Sequence, residues 1–214
     1  MKIITKNLLK MEEEMHTKTK RLVTISLLSA ISFVLGFTPL GFIPIPPANA
    51  TTMHIPVIIG AILEGPIAGV VIGLIFGISS IIQALLRPNI LSFAFVNPLV
   101  SVLPRILIGL VSYYSYKLVL TIFSRNNTKN KISKVSDTVS VGVSAALGTL
   151  TNTAGVLGMM YLLYADRVAS AMGVERNAVG GVILAIGVTN GIPEIIVAVL
   201  ITIGVIRAVK RAGY

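Results

Sequence analysis

The chain of 214 residues is 54% hydrophobic and only 12% charged, with a mean hydropathy of +0.89. A soluble domain carries about 25% charged residues, so this composition indicates an integral membrane protein. Cysteine is absent, which excludes disulfides, thiolate metal sites and cysteine nucleophiles. The net charge of +10 would suggest nucleic-acid binding in a soluble protein. In a membrane protein we interpret the cations as topology signals and expect no nucleic-acid partner.

The chain begins with a polar segment, residues 1–21, that mixes three consecutive glutamates with lysine and arginine. It is too long and too acidic for the n-region of a secretory signal, and no cleavage site follows it. We therefore expect a cytoplasmic lead-in over 1–21, one membrane domain over 22–208 and a basic cytoplasmic tail over 209–214.

Apolar segments predict the membrane spans. They are residues 22–37, 55–63, 67–86, 98–123, 137–164 and 178–206. The proline-rich stretch 38–54 cannot be helical throughout, because proline interrupts the helical hydrogen-bond ladder. Residues 87–96 are predicted to form a second loop on the same side, and residues 124–136 a basic connector on the other.

The stretch 55–86 is either one long span or two helices hinged at Glu64-Gly65-Pro66. A run of nine apolar residues is too short to cross a bilayer, which needs about 20. Cation counting favours two helices, because six spans place fourteen of the eighteen lysines and arginines on the inner side. We therefore predict an all-α protein with six transmembrane helices and both termini cytoplasmic. The second helix must then be shielded by its neighbours or extended into the preceding loop.

Among the charged residues in the predicted spans, Arg105 and Glu194 lie farthest from the inner side. Arg105 lies about seven residues into the fourth span, where an arginine costs about 2.5–3.5 kcal/mol on insertion scales. It can snorkel to the outer interface, pair with Glu194 in the sixth span, or anchor an anionic ligand in a cavity. The sequence favours the anion anchor without excluding a structural ion pair.

Polar uncharged residues occur at a similar depth on two other helices. Thr151, Asn152 and Thr153 lie in the fifth span, and Asn190 lies in the sixth. A single membrane asparagine is more often a contact between helices than a ligand contact. Together with Arg105 they suggest a polar site in the outer half, because a polar ligand needs replacements for each lost contact with water.

The two outer loops are expected to cover this site. His54 stands at the mouth of the second helix, and Asn97 stands at the head of the fourth, with Phe93 and Phe95 beside it. A lone histidine at such a position is more often a loop hydrogen-bonding group than a metal ligand. We expect no metal site and no cofactor.

Small residues at spacing four predict close helix contacts. Gly65, Gly69, Gly73 and Gly77 are interpreted as an internal packing row. On the first span, the pairs Ser26–Ala30 and Ser32–Gly36 suggest a face for a separate membrane partner.

Motifs for nucleotide binding and hydrolysis are absent. The sequence contains no GxxxxGK[ST] loop, no HExxH and no GxSxG, so ATP-driven transport would need another subunit. An intramembrane hydrolase using Ser79, Ser80 and His54 is an alternative, but nothing indicates a base held beside either serine.

Three stretches carry a family resemblance. They are IPIPPANATTMHIPVIIGAILEGPIAGVVIGLIFGISSI (43–81), NPLVSVLPRILIGLV (97–111) and GTLTNTAGVLGMMYL (148–162). They resemble the substrate-binding S-components of energy-coupling factor (ECF) transporters, and the pantothenate-type members most. The resemblance spans 22–208 and implies a multi-pass protein of the bacterial cell membrane, surrounded by lipid. It also implies a shared module of two ATPases and a transmembrane coupling subunit.

The resemblance implies a ligand in the outer half, held by the first and third loops and the last three helices. The substrate-binding residues predicted on this basis are Arg105, Asn152, Asn190, Asn97, His54, Thr151, Tyr161 and Glu194. Members of the family contact the coupling subunit through their first helix. The resemblance therefore implies that the partner-contact residues are Ser26, Ala30, Ser32 and Gly36. Ser26 replaces the first alanine of the AxxxA-like pattern of the family. An acidic loop segment of riboflavin-type members is absent, which argues against that vitamin.

We therefore predict a non-enzymatic S-component that captures a small polar vitamin and delivers it to the ATP-driven module. Pantothenate is favoured, because its carboxylate, hydroxyl and amide groups suit an arginine near asparagines. Cobalamin, folate and pyridoxine-like compounds remain alternatives, as does an intramembrane enzyme or a structural subunit without a ligand.

Overall fold

Helices dominate the computed structural model, which describes residues 2–45, 48–125 and 134–213. The elements in chain order are α1 (Lys2–Phe37), β1 (Phe42–Ile45), β2 (Ala48–Thr51), α2 (Ile55–Glu64), α3 (Pro66–Leu86), α4 (Ser92–Phe95), α5 (Pro98–Ser101), α6 (Leu103–Arg125), α7 (Lys134–Met172) and α8 (Val179–Arg211). Within the described residues, five helices are long and apolar enough to cross a membrane, and α2 is a shorter apolar helix. The predicted all-α membrane architecture is confirmed. Lys129 and Lys131 of the predicted connector lie outside the described residues.

The proline-rich stretch after α1 forms a short antiparallel hairpin. Strands β1 and β2 pair with Phe42 opposite Thr51 and Ile45 opposite Ala48. A single 3-10 turn over Pro39–Gly41 leads into it. The sequence excluded a continuous helix here but did not predict strands. We call this end of the bundle the hairpin end, and the opposite end the far end.

Helix α2 lies at the centre of the bundle. It is only ten residues long, and its residues from Ile55 to Ile62 are all buried. It contacts α1, α3, α6, α7 and α8. Gly65, at φ +93°, turns the chain from α2 into α3, and Pro66 begins α3, where a missing N–H costs nothing. The predicted break is therefore confirmed, and the short helix is shielded by its neighbours.

The glycine row packs α3 against α6. A β-carbon on Gly69 would lie 2.7 Å from the Cα of Gly109, and one on Gly77 would lie 2.8 Å from the carbonyl oxygen of Ser101. At Gly73 the neighbouring atom is the carbonyl oxygen of Arg105. These contacts confirm internal packing and hold the first turns of α6 close to α3.

Helix α7 extends beyond its predicted end at Tyr164. Tyr164 has non-helical angles (φ −135°, ψ 18°) and kinks the helix, which then continues to Met172. Ala165, Val168 and Ala169 are buried after the kink and pack in one cluster with Ala94 of α4. The charged residues of this turn face outward, which explains why the sequence was interpreted as a loop.

A polar contact joins three helices at the far end. The Tyr116 hydroxyl donates to Asp137 Oδ1 at 2.8 Å, and Lys210 Nζ lies 2.7 and 2.8 Å from the two oxygens of Asp137. Lys210 Nζ also lies 3.0 Å from the Tyr116 hydroxyl. We call this group the far-end clamp, because it connects α6, α7 and α8.

Candidate functional site

Arg105 is buried in the first turn of α6. Its side chain is 5% exposed, so the guanidinium does not snorkel out of the bundle. Nη1 donates to the carbonyl oxygen of Val100 at 2.6 Å, and the guanidinium carbon lies 5.2 Å from the Phe76 ring centre and 5.7 Å from that of Phe95. Nε has no partner. The cation is stabilised by aromatic faces and keeps a free donor.

His54 precedes α2 and points into the bundle. It is fully buried and does not cap α2 with its side chain. Nε2 lies 3.0 Å from Thr149 Oγ1 on α7, and Nδ1 has no partner. The predicted loop histidine is therefore a buried contact between α2 and α7.

Glu194 connects the hairpin to α7 and α8. Its Oε1 accepts a hydrogen bond from the backbone N–H of Thr51 at 2.6 Å, and its Oε2 accepts one from the Thr153 hydroxyl at 2.8 Å. Within the described part of the chain, Glu194 and Arg105 form no direct ion pair, although their charges attract across the interior. The carboxylate is therefore held by neutral donors from the hairpin and α7.

Asn152 and Asn190 are buried at the same level on α7 and α8. Each is 5% exposed, and each has an unpartnered Oδ1. Helix packing sets this level: Gly155 of α7 packs on Pro104 of α6, and Gly191 of α8 faces Thr153. These contacts place the two asparagines near the level of Arg105, and their role in binding a ligand stays a prediction.

These five residues form what we call the polar cluster. Its members are His54, Arg105, Asn152, Asn190 and Glu194. Four of them carry a buried side-chain atom without a hydrogen-bond partner. An unpaired buried polar atom is costly and needs an explanation, so these four make the polar cluster the candidate binding site. Single unpartnered atoms also occur on Ser29, Glu64, Ser112 and Thr202.

Three other predicted substrate-binding residues lie outside the polar cluster. Asn97 donates through Nδ2 to the Tyr164 hydroxyl at 2.9 Å and caps α5 through Oδ1, which accepts from the Leu99 N–H. The Thr151 hydroxyl donates to the Leu147 carbonyl of its own helix. Tyr161 is 40% exposed and lies beneath the guanidinium of Arg176.

The residues predicted for partner contact divide between two faces of α1. Ser26 and Ala30 are exposed on the side of α1 that carries Leu27 and Ile31. Ser32 is buried and donates to the Met53 carbonyl at 2.9 Å, and Gly36 packs against Gln83 and Met53. The structure therefore leaves the first pair accessible and uses the second inside the bundle.

The predicted substrate-binding set omitted two threonines of α7. Thr149 holds His54, and Thr153 holds Glu194. With 3.6 residues per turn, positions 149, 152 and 153 share one face while Thr151 lies on another. Helical periodicity could have selected Thr149 and Thr153, whereas the backbone contact from Thr51 has no signal in the sequence.

A separate surface depression at the hairpin end does not resemble the polar cluster. It is open and lined by Phe93, Asp166, Arg167, Ser170 and Ala171. Arg167 lies over the Phe93 ring at 4.6 Å, and Asp166 is paired with Arg176. Its polar groups are already partnered or exposed, and it contains none of the predicted site residues.

A membrane-embedded helical bundle with an enclosed, incompletely paired polar cluster defines a substrate-binding membrane protein. The described residues contain no group of three or more histidines and acidic residues that could hold a metal. The chain belongs to the family of ECF transporter substrate-specific components, whose pattern matches residues 20–206. It is accordingly a multi-pass protein of the bacterial cell membrane, and it is a transporter component and not an enzyme.

Two curated relatives are similar to this chain over most of its length. The pantothenic acid transporter PanT of Lactococcus lactis subsp. cremoris is 28% identical over 180 residues, which cover 78% of this chain and 80% of the relative. The pantothenate transporter PanT of Leuconostoc mesenteroides subsp. mesenteroides is 29% identical over 209 residues, which cover 92% and 98%. Both alignments cover most of this chain.

Proposed function

We propose that this S-component captures pantothenate from outside the cell in the polar cluster and passes it to the ECF module. The observation that carries the proposal is the set of four buried, unpartnered polar atoms, one just before α2 and one each in α6, α7 and α8. The names of two relatives aligned over most of the chain support pantothenate as the ligand.

The polar cluster suits this ligand chemically. A carboxylate would take the free donor of Arg105, and charge-assisted bonds of this kind are stronger than neutral ones. Hydroxyl and amide groups would complete Asn152 and Asn190. Glu194 would stay with its own donors, since both of its oxygens already accept hydrogen bonds.

Entry of the ligand requires movement at the hairpin end. The ring of Phe95 from α4 lies over Arg105, and Thr51 at the end of β2 is bonded to Glu194. Both contacts belong to the loops predicted to cover the site. The ligand would therefore displace α4, the hairpin, or both before it reaches the cluster.

Energy for release would come from the ECF module. The exposed face of α1 around Ser26 and Ala30 would contact the transmembrane coupling subunit, since small residues allow close helix approach. The rest of the exposed apolar surface would contact lipid. In this orientation both termini are cytoplasmic and the hairpin end faces outward.

Ligand analysis of the purified protein tests the proposal. Protein expressed in cells supplied with pantothenate is extracted in mild detergent, and the bound small molecule is identified by mass spectrometry. Stripped protein is then titrated calorimetrically with pantothenate, folate and pyridoxine. Stoichiometric pantothenate and saturable binding of pantothenate alone are expected. Another vitamin in the extract, with no response to pantothenate, would contradict the proposal.

A further inference from the structure

The hydrogen-bond chain behind His54 determines where its ring carries a proton. His54 Nε2 lies 3.0 Å from Thr149 Oγ1. Thr149 Oγ1 in turn lies 2.8 Å from the carbonyl oxygen of Ala145, one turn earlier in α7. All three groups are buried, so water cannot substitute for either contact.

A threonine hydroxyl has one proton and can donate only once. The Ala145 carbonyl is solely an acceptor, so its short contact requires that Thr149 donates to it. Thr149 must then accept from His54 Nε2, which therefore carries the N–H. The opposite tautomer would place two acceptors against one hydroxyl proton in a buried site.

The other ring nitrogen is then a bare lone pair. Nδ1 is buried and has no partner, so a proton there would also be left without an acceptor. Burial opposes the doubly protonated, charged ring, and the nearby positive charge of Arg105 opposes it further. His54 thus stays neutral, with Nδ1 as an acceptor that the protein itself leaves unsatisfied.

We propose that His54, held as the Nε2–H tautomer by Thr149, accepts through Nδ1 a hydrogen bond from a hydroxyl or amide N–H of the ligand. This inference rests on the proposed function and adds a polarity requirement to it. Arg105 Nε selects an acceptor on the ligand, and His54 Nδ1 selects a donor. A ligand with acceptors alone would leave the Nδ1 lone pair unpaired.

The composition of the chain provides a direct test. Its two histidines are His16 and His54, so His16→Gln leaves His54 as a single reporter. Protein carrying His16→Gln and labelled with ¹⁵N-histidine is studied by NMR without ligand. A pyridine-type resonance for Nδ1 and a pyrrole-type resonance for Nε2 are expected. A protonated Nδ1 in the folded protein would overturn the inference whatever the protein binds.

Addition of pantothenate to the same sample tests the ligand contact. The Nδ1 resonance should move upfield and remain pyridine-type, because the lone pair accepts a hydrogen bond without being protonated. Saturating binding with an unchanged Nδ1 resonance would overturn the inference while leaving the proposed function standing. An absence of pantothenate binding would overturn both the pantothenate assignment and the ligand contact. The tautomer of His54 would still be determined by the spectrum recorded without ligand.

Two substitutions at His54 separate the ring nitrogens. His54→Gln places an amide near the Nε2 position and keeps the Thr149 contact, but it provides no acceptor at Nδ1. His54→Asn places an amide near the Nδ1 position and loses the Thr149 contact. For proteins of matched thermal stability, His54→Gln should weaken pantothenate binding about 10- to 100-fold. His54→Asn should retain more affinity.

Removal of the tautomer lock completes the test. Thr149→Val deletes the hydroxyl at nearly constant volume, so the ¹⁵N spectrum of Thr149→Val/His16→Gln protein should show a population with Nδ1 protonated. Pantothenate affinity should fall in proportion to that population. An unchanged tautomer in this variant, or equal affinity of the Gln and Asn variants at position 54, would contradict the proposal.

Discussion

Arg105 combines a buried charge with an incomplete set of partners. It donates to Val100 and lies between two aromatic rings, while Nε remains free. If a ligand carboxylate completes it, Arg105→Ala should weaken pantothenate binding by about 30-fold to several thousand-fold, the usual cost of losing a desolvated charge partner. Arg105→Lys should remain impaired, because an ammonium cannot reproduce the planar donor fork.

Isothermal titration of folded variants measures this effect. Arg87→Ala is the matched control, because Arg87 is an exposed arginine at the end of α3. It should bind as the unsubstituted protein does. Ordinary affinity in well-folded Arg105→Ala protein would remove Arg105 from the site.

Thr153 and Thr151 provide a matched pair at the residue scale. The Thr153 hydroxyl donates to buried Glu194, whereas the Thr151 hydroxyl donates to its own helix backbone. Thr153→Val leaves a buried carboxylate oxygen without a donor and should destabilise the protein by about 1–3 kcal/mol. Thr151→Val should be close to neutral.

Thermal melts of both threonine variants in one detergent measure the difference. A lower melting temperature for Thr153→Val alone is expected. Equal shifts for the two variants would contradict the assignment of Thr153 to Glu194.

At the scale of elements, the α3–α6 contact depends on the absence of side chains. A β-carbon at Gly73 would overlap the Arg105 carbonyl oxygen, which belongs to a helix backbone and cannot rotate away. Gly73→Ala should therefore reduce thermal stability and also weaken ligand binding, because it displaces the turn that carries Arg105. Helix packing at this density tolerates little added volume.

Gly204→Ala is the control for this substitution. Gly204 lies in α8, and a β-carbon added there would have no neighbouring residue within 4 Å. Alanine there should be neutral or stabilising by up to about 1 kcal/mol, because it favours the helix. Fluorescence-detected size-exclusion after heating compares both variants, and equal stability would contradict the packing interpretation.

The far-end clamp is the second element-scale contact open to test. Asp137 is 20% exposed and accepts from both Tyr116 and Lys210, so it joins three helices. Asp137→Asn should lower stability by about 1–2 kcal/mol, as charge-assisted hydrogen bonds between helices are lost. Ligand affinity should not change, because the clamp lies at the opposite end from the polar cluster.

The Asp166–Arg176 pair serves as the control. Its side chains are 88% and 52% exposed, respectively, and exposed ion pairs contribute little to stability. Asp166→Asn should have the same melting temperature as the unsubstituted protein. A larger loss of stability from Asp166→Asn than from Asp137→Asn would contradict the greater contribution assigned to the far-end clamp.

The helices show what sequence patterns can and cannot predict. Glycine and proline at positions 65 and 66 predicted the break between α2 and α3, because both act through local backbone geometry. The end of α7 was predicted about eight residues too early. Its last turns are amphipathic and stabilised by packing against α4, a tertiary contact that polarity along the chain does not reveal.

The site shows the same division. Arg105, Asn152 and Asn190 were predicted to bind the ligand, because polar groups at membrane depth are costly and therefore indicate a function. Thr149 and Thr153 were left out of the predicted site because threonine is common in membrane helices, and only the fold shows that their hydroxyls reach His54 and Glu194. Residue type therefore selected the buried groups that we propose face the ligand, but not the groups that orient them.

At the scale of the whole molecule, cation placement predicts orientation. Fourteen of the eighteen lysines and arginines belong to the sequence segments that six spans assign to the inner side of the membrane. Reporter fusions after Lys129 and after Gly213 should both report the cytoplasmic side. An extracytoplasmic signal from either fusion would contradict six spans with cytoplasmic termini.

The central position of α2 has a consequence for biogenesis. A ten-residue helix is about 15 Å long, half the hydrocarbon thickness of a bilayer, so α2 cannot partition into lipid alone. We expect it to enter from the translocon paired with α3 across the Gly65 turn. Its remaining faces are then covered as α6, α7 and α8 leave the ribosome in that order. A nascent chain released before α8 would leave α2 exposed to lipid, so arrival of the last helix commits the chain to its fold.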